Sequence, residues 1–96
     1  MNEDMIHKAL SSPFRRQVLQ WLKDPSTSSP GGISPVGLSG REIEALGGLS
    51  QSTTSTHLKL LCSAGLVTVR RHGQIAIFSR NEDTIAKFAA TVTASL

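Results

Sequence analysis

Gln51, Ser52, Ser55, Thr56 and Lys59 fall within nine residues of each other, spaced for the open side of one helix. A glutamine amide can both donate and accept at the edge of an adenine, and a threonine methyl can touch a thymine methyl. Serine and threonine hydroxyls suit bases or phosphates, and a lysine supplies a point charge for a phosphate. Ser50 and Thr53 complete the polar group, and free N–H groups at Ser50 to Ser52 favour an anion at the helix start. Gln51 is the leading candidate for a base edge, and Lys59, two turns on, for the phosphate backbone. Arg70, Arg71, His72 and Gln74 lie further along, suited to phosphates or to a minor groove. This is the chemistry of recognition, not of bond breaking.

Charge is distributed to match. From Ala45 to Asn81 there is no acid, while Lys59, Arg70, Arg71 and Arg80 make the segment +4. The other six of the ten cations face all seven acids, leaving the rest at −1. A net charge of +3 alone would say little, but its concentration in one region is what a polyanion-binding surface needs. No Ser/His/Asp or Cys/His set, paired carboxylates or phosphate-binding loop has usable spacing, so an enzyme is not expected.

The elements that must position these residues can be read in order. Glu3 to Leu10 predicts a first helix, with acids at its start. Ser12 as cap and Pro13 at the first helical position predict a second, with Phe14, Val18, Trp21 and Leu22 on one face and a stop at Asp24-Pro25. Residues 24–38, rich in Ser, Pro and Gly, read as a long loop. Ser39 and Glu42 fit a capping box, and Ile43 and Leu46 supply the buried side of a short helix. Gly47-Gly48-Leu49 makes a turn, and Ser50 caps the polar helix. Thr54, Leu58, Leu61 and Cys62 form its inner face, and Gly65 fits a left-handed stop. Leu66–Arg71 and Ile75–Arg80 bracket His72-Gly73-Gln74 as a β-hairpin. Asn81 caps a last helix whose apolar stripe is Ile85, Phe88, Ala89, Val92 and Leu96.

The expected architecture is mostly α with a β-hairpin wing, in the order α-α-α-α-β-β-α. One domain spans 1–96, with helix-turn-helix at about 39–64, wing at about 66–80 and a C-terminal dimerisation helix at about 82–95. No signal-like segment opens the chain and no apolar run nears about 18 residues, so a cytoplasmic protein free of membrane is expected.

With these residues in this order, the chain resembles the winged helix-turn-helix repressors of the ArsR family along nearly its whole length. Ala9-Leu10-Ser11-Ser12-Pro13-Phe14-Arg15-Arg16 looks like the start of the family's second helix. Leu49-Ser50-Gln51-Ser52-Thr53 through Ser55, Leu58-Lys59-Leu60-Leu61 and Ala64-Gly65-Leu66-Val67 look like its recognition helix and first wing strand. Two positions depart: Thr54 stands where the family prefers an apolar β-branched residue, and Thr56 where histidine is frequent. The resemblance implies a homodimeric repressor that releases operator DNA on receiving a signal.

It also implies dimer contacts on the first and last helices, where Met5, Ile6, Leu10, Ile85, Phe88, Val92 and Leu96 offer more apolar area than one small core absorbs. The partners expected are double-stranded operator DNA, carrying an inverted repeat, and a second copy of the chain. The family's metal ligands are missing: residues 39–46 hold no cysteine, and 84–96 hold no Asp, Glu or His. No metal and no cofactor are expected, so the inducer would be a small molecule or a redox signal. Cys62, the only cysteine, reads as an inert core thiol, with redox sensing as its alternative role. A winged helix used for protein docking is the rival from another class. A polar, Gln-led helix argues against it, because a docking face would carry more apolar or aromatic residues.

Overall fold

Every helix of this protein begins on a side-chain cap. In the computed structural model, which describes residues 1–96, Asn2, Ser12, Asp24, Ser39, Ser50 and Asn81 each accept a hydrogen bond from a first-turn N–H. Such caps satisfy donors that the helix leaves without partners, and they fix where each helix starts. The elements are α1 (Glu3–Leu10), α2 (Pro13–Lys23), α3 (Pro25–Ser28), β1 (Leu38–Ser39), α4 (Gly40–Gly47), α5 (Gln51–Ser63), β2 (Val67–His72), β3 (Ile75–Arg80) and α6 (Glu82–Ser95). This is the expected order with a one-turn helix and a two-residue strand added inside and just beyond the 24–38 segment.

That segment is more tied down than its composition suggests. The Asp24 carboxylate accepts from the Thr27 N–H and hydroxyl, closing the turn of α3. Leu38 pairs with Phe78 and Ser39 with Ile77, so β1 joins the hairpin as the outer strand of an antiparallel sheet ordered β1-β3-β2. Ser39 then serves two elements, as strand residue and as α4 cap. Its N–H donates to Glu42 Oε1 at 2.9 Å while its Oγ accepts from the Glu42 N–H at 3.2 Å, which completes the capping box. The Ser29 hydroxyl donates to the other Glu42 oxygen at 2.7 Å, stitching the loop to α4. Burial alone would raise the Glu42 pKa, but bonds from Ser39 and Ser29 outweigh it and hold the carboxyl below its ordinary value.

The core is a single cluster built from Ile6 and Ala9 of α1, Val18, Leu19 and Leu22 of α2, Leu38, Ile43, and Leu58 and Leu61 of α5, closed by Ala64, Leu66 and Val67. The buried face of α2 differs from the sequence reading. Phe14 and Trp21 are half-buried flankers in an edge-to-face pair, and the residues facing inward are Arg15, Val18, Leu19 and Leu22. In α4, Ile43 is buried but Leu46 is exposed. At the end of α5, Gly65 takes φ +77°, its N–H reaching Cys62 O and the Leu66 N–H reaching Leu61 O. That double bond pattern is a Schellman stop, and it turns the chain from α5 into the wing. No helix is long and apolar enough to cross a membrane.

Candidate nucleic-acid interface

The recognition surface is built on α5. At about 100° per residue, burial of Thr54, Leu58 and Leu61 turns Ser52, Thr56 and Lys59 to the opposite, open side. Gln51, Ser55 and Cys62 fall on the flank toward the wing, and Thr53, His57 and Leu60 on the flank toward α2. Ser52, Thr56, Lys59, Gln51 and Ser55 are all exposed.

Their hydroxyls are not equally free. Ser50 accepts from the Thr53 N–H at 3.2 Å and donates to Thr53 Oγ1 at 2.9 Å, so both hydroxyls serve the helix cap. The Thr56 hydroxyl donates back to Ser52 O at 3.0 Å, leaving its methyl and lone pairs outward. Within α5, Gln51, Ser55 and Lys59 keep side-chain donors with no partner in the protein.

The wing follows from a two-residue turn. His72 pairs with Ile75, leaving Gly73 and Gln74 as the loop, and Gly73 alone has positive φ, +63°. This is the pattern of a II′ hairpin turn, whose twist matches that of the strands. Strand alternation then separates the basic residues. Arg71 shares a face with Val69, Ala76 and Phe78, turned toward α5, while Arg70 and His72 point from the other face. Arg70, Arg71, His72 and Gln74 are all exposed.

Arg80 does not belong with them. Its guanidinium binds both Glu82 oxygens, at 2.9 and 3.1 Å, and reaches Leu19 O at 3.3 Å. An acid just outside the acid-free segment therefore neutralises one of its four cations. The free positive charge of the region is Lys59, Arg70 and Arg71.

The orientation of α5 is set from behind by a residue whose role the sequence reading missed. Arg15, 8% exposed, donates from Nε to Ala9 O at 2.8 Å and from Nη2 to Lys8 O at 3.0 Å. Its Nη1 lies 2.9 Å from His57 Nδ1. A guanidinium only donates, so His57 is neutral there, accepts at Nδ1 and carries its proton on Nε2. The Phe14 ring sits 4.8 Å from the imidazole. Burial and the Arg15 charge hold the His57 pKa below its usual value. The signal was present: Arg15, Val18, Leu19 and Leu22 stand at i, i+3, i+4 and i+7, a cation written into an apolar stripe.

This geometry coincides with a known kind of molecule. A family model described as bacterial regulatory protein, arsR family, matches residues 38–69, from β1 into β2. The uncharacterized HTH-type transcriptional regulator YbzH of Bacillus subtilis is 36% identical over 88 residues, covering 88% of each chain. The chain belongs to the ArsR family. Among solved structures, this ArsR-family regulator superposes on the predicted DNA-binding transcriptional regulator from E. coli with a TM-score of 0.63. Identity there is 31%, over 96% of this chain and 87% of that one. It also matches the homodimeric winged helix-turn-helix DNA-binding domain of a possible ArsR-family regulator from Mycobacterium bovis. That match has a TM-score of 0.68 and 27% identity over 96% and 76% of the two chains. The protein is thus a winged helix-turn-helix transcriptional regulator.

The remaining expected residues lie on α1 and α6. Ile6 is 0% exposed, consumed by the protomer's own core, and this corrects its assignment to a dimer surface. Met5, Leu10, Ile85, Phe88 and Val92 are half-buried, and Leu96 is fully exposed. None of the fourteen residues of α6 is buried, so its apolar stripe finds only partial cover within the protomer. Cys62 is half-buried and lines the space between α5 and the wing. Burial pushes its thiol pKa up, away from the reactive thiolate. No group of three or more His, Cys, Asp or Glu side chains is placed to hold a metal ion.

Proposed function

We propose that this regulator is a homodimeric repressor that reads an inverted-repeat operator and is released by a signal other than a metal. The observation that carries the reading is the outward side of α5. Ser52, Thr56 and Lys59 stand open there, Gln51 and Ser55 flank them, and the Arg71 wing face lies beside them. A helix of this width enters a major groove, where its first turns meet base edges. Gln51 reads bases, Ser52, Ser55 and Thr56 supply further base or phosphate bonds, and Lys59, Arg70 and Arg71 hold the backbone. Ser50 and Thr53 act through the cap, presenting the helix start to a phosphate. His72 and Gln74 extend the contact at the wing tip.

The half-covered stripe of α6, with Met5 and Leu10 of α1, supports a two-fold dimer. Its recognition helices would stand one DNA turn (about 34 Å) or a near multiple apart. The dispersed histidines and the single thiol with a raised pKa support an inducer that is neither a metal nor an oxidant.

Selection of bound duplexes from a random pool, with affinity measured at two salt concentrations, tests the reading. Recovery of an inverted repeat is the expected result. Salt-sensitive binding with no preferred sequence would overturn it in favour of non-specific or protein docking.

A further inference from the structure

Between α5, α4 and the wing lies a cleft of about 870 Å³, which neither the core nor the helix-turn-helix requires. Its inner surface is apolar, formed by Leu58, Cys62, Ala76 and Phe78, with Val69 and Ile75 on the wing side. Val69, a large apolar side chain 46% exposed, is left facing this space, and Ile75, 42% exposed, borders its outer end at the wing tip. The border is cationic: Arg41, Lys59 and Arg71 stand against a single acid, Glu44. Thr54 also lines the cleft. It is 1% exposed, and its Oγ1 is the one buried side-chain polar atom of the protein without a hydrogen-bond partner.

A track for DNA phosphates needs cations and N–H donors; it has no use for an apolar floor. An apolar cavity with a few convergent polar groups is instead the usual form of a small-molecule site, in the common size range of about 300–1,000 Å³. We propose that this cleft binds an amphipathic organic anion: an apolar body of about ten to fifteen non-hydrogen atoms ending in one carboxylate or sulfonate. The body lies on Leu58, Ala76 and Phe78, and the acid group meets Lys59, Arg71 and Arg41. Gln51, Lys59, Arg71 and Gln74 line the same cleft, so an occupant competes with DNA for two cations and wedges the wing from α5. This identifies the releasing signal, and in that respect it rests on the repressor reading above.

The protein carries its own reporter, since Cys62 is its only cysteine and lines the cleft. The rate at which N-ethylmaleimide labels Cys62 in the full chain, without DNA, is measured against sodium decanoate, decanol and decyltrimethylammonium. Decanoate should slow labelling about tenfold, decanol should bind about tenfold more weakly, and the cationic analogue should give no protection. Arg41→Gln, outside the DNA-reading set, should weaken decanoate about fivefold and leave decanol unchanged. Ala76→Trp, with folding checked by thermal melting, should slow labelling by itself and abolish the response to decanoate. Equal protection by all three compounds, or none by decanoate, overturns the site. So does protection by inorganic phosphate alone, which would make the cleft part of the DNA track. Saturating decanoate should also lower operator affinity about tenfold. Protection of Cys62 without that loss keeps the site and overturns its coupling to DNA. The labelling is read on free protein, so failure to recover an operator leaves this result unaffected.

Discussion

On the α2 side of α5, His57 is held by the Arg15 guanidinium and the Phe14 ring, and Arg15 is itself anchored on two carbonyls at the end of α1. On the wing side, Gln51, Ser55 and Cys62 border open space. One flank of the recognition helix is therefore locked to the body of the protomer, and the other meets a hairpin that it does not fully pack against. The contrast shows how a small domain can fix one flank of a reading helix through buried hydrogen bonds yet leave open space along the other. The held flank rests on a buried guanidinium that bonds through all three of its nitrogens; the other leaves apolar surface uncovered.

The largest expected effect breaks the locked flank. Arg15→Met should destabilise the protein by about 2–3 kcal/mol, because it strands the Ala9 carbonyl and the His57 acceptor, while Lys8 O keeps its bonds from Ser11. Urea unfolding at neutral pH measures it, and a change below about 0.5 kcal/mol would deny Arg15 its anchoring role. Next comes the reading side: Gln51→Ala should cost about 1–3 kcal/mol on the selected operator and relax preference at particular base pairs. Lys59→Ala should instead weaken all duplexes alike and reduce the salt slope by about one. Equal losses on specific and random DNA for Gln51→Ala would remove it from base reading.

Thr54→Val tests the floor of the open flank from the opposite direction. It removes a buried hydroxyl without a partner and should stabilise the protein by about 1 kcal/mol, read as a higher urea midpoint.

The smallest effect is the pH response of the locked flank. His57 has a lower pKa folded than unfolded, so the unfolded chain takes up its proton first as pH falls. Stability from the Arg15–His57 contact is thus complete above the ordinary histidine value of 6.5 and declines as pH drops through it. Glu42, whose pKa is lowered, loses its contribution only below the ordinary carboxyl value of 4.5. A urea midpoint that falls between about pH 7.5 and 5.5, and falls less in His57→Gln, is the expected result. An identical slope in both proteins would assign the response elsewhere.

What the sequence alone determined is what a few neighbouring residues can encode. Ser12-Pro13, the Ser39/Glu42 box, Ser50, Gly65 and Asn81 placed helix starts and stops, because caps act within one turn. The glycine-bearing tip and the β-branched runs around it placed the wing. The polar spacing of Gln51, Ser52, Ser55, Thr56 and Lys59 marked the surface, since exposure opposite Leu58 and Leu61 follows from helical period. Tertiary structure decided the matters that depend on residues far apart in the chain. It bonded Arg15 to His57, 42 positions on, and Arg80 to the Leu19 carbonyl, 61 positions back. It paired Leu38 with Phe78, turned Ile6 inward, and left Val69, Ile75 and Cys62 around a cleft. A local pattern shows which face of an element is apolar; only packing shows which partner covers it, and where none does.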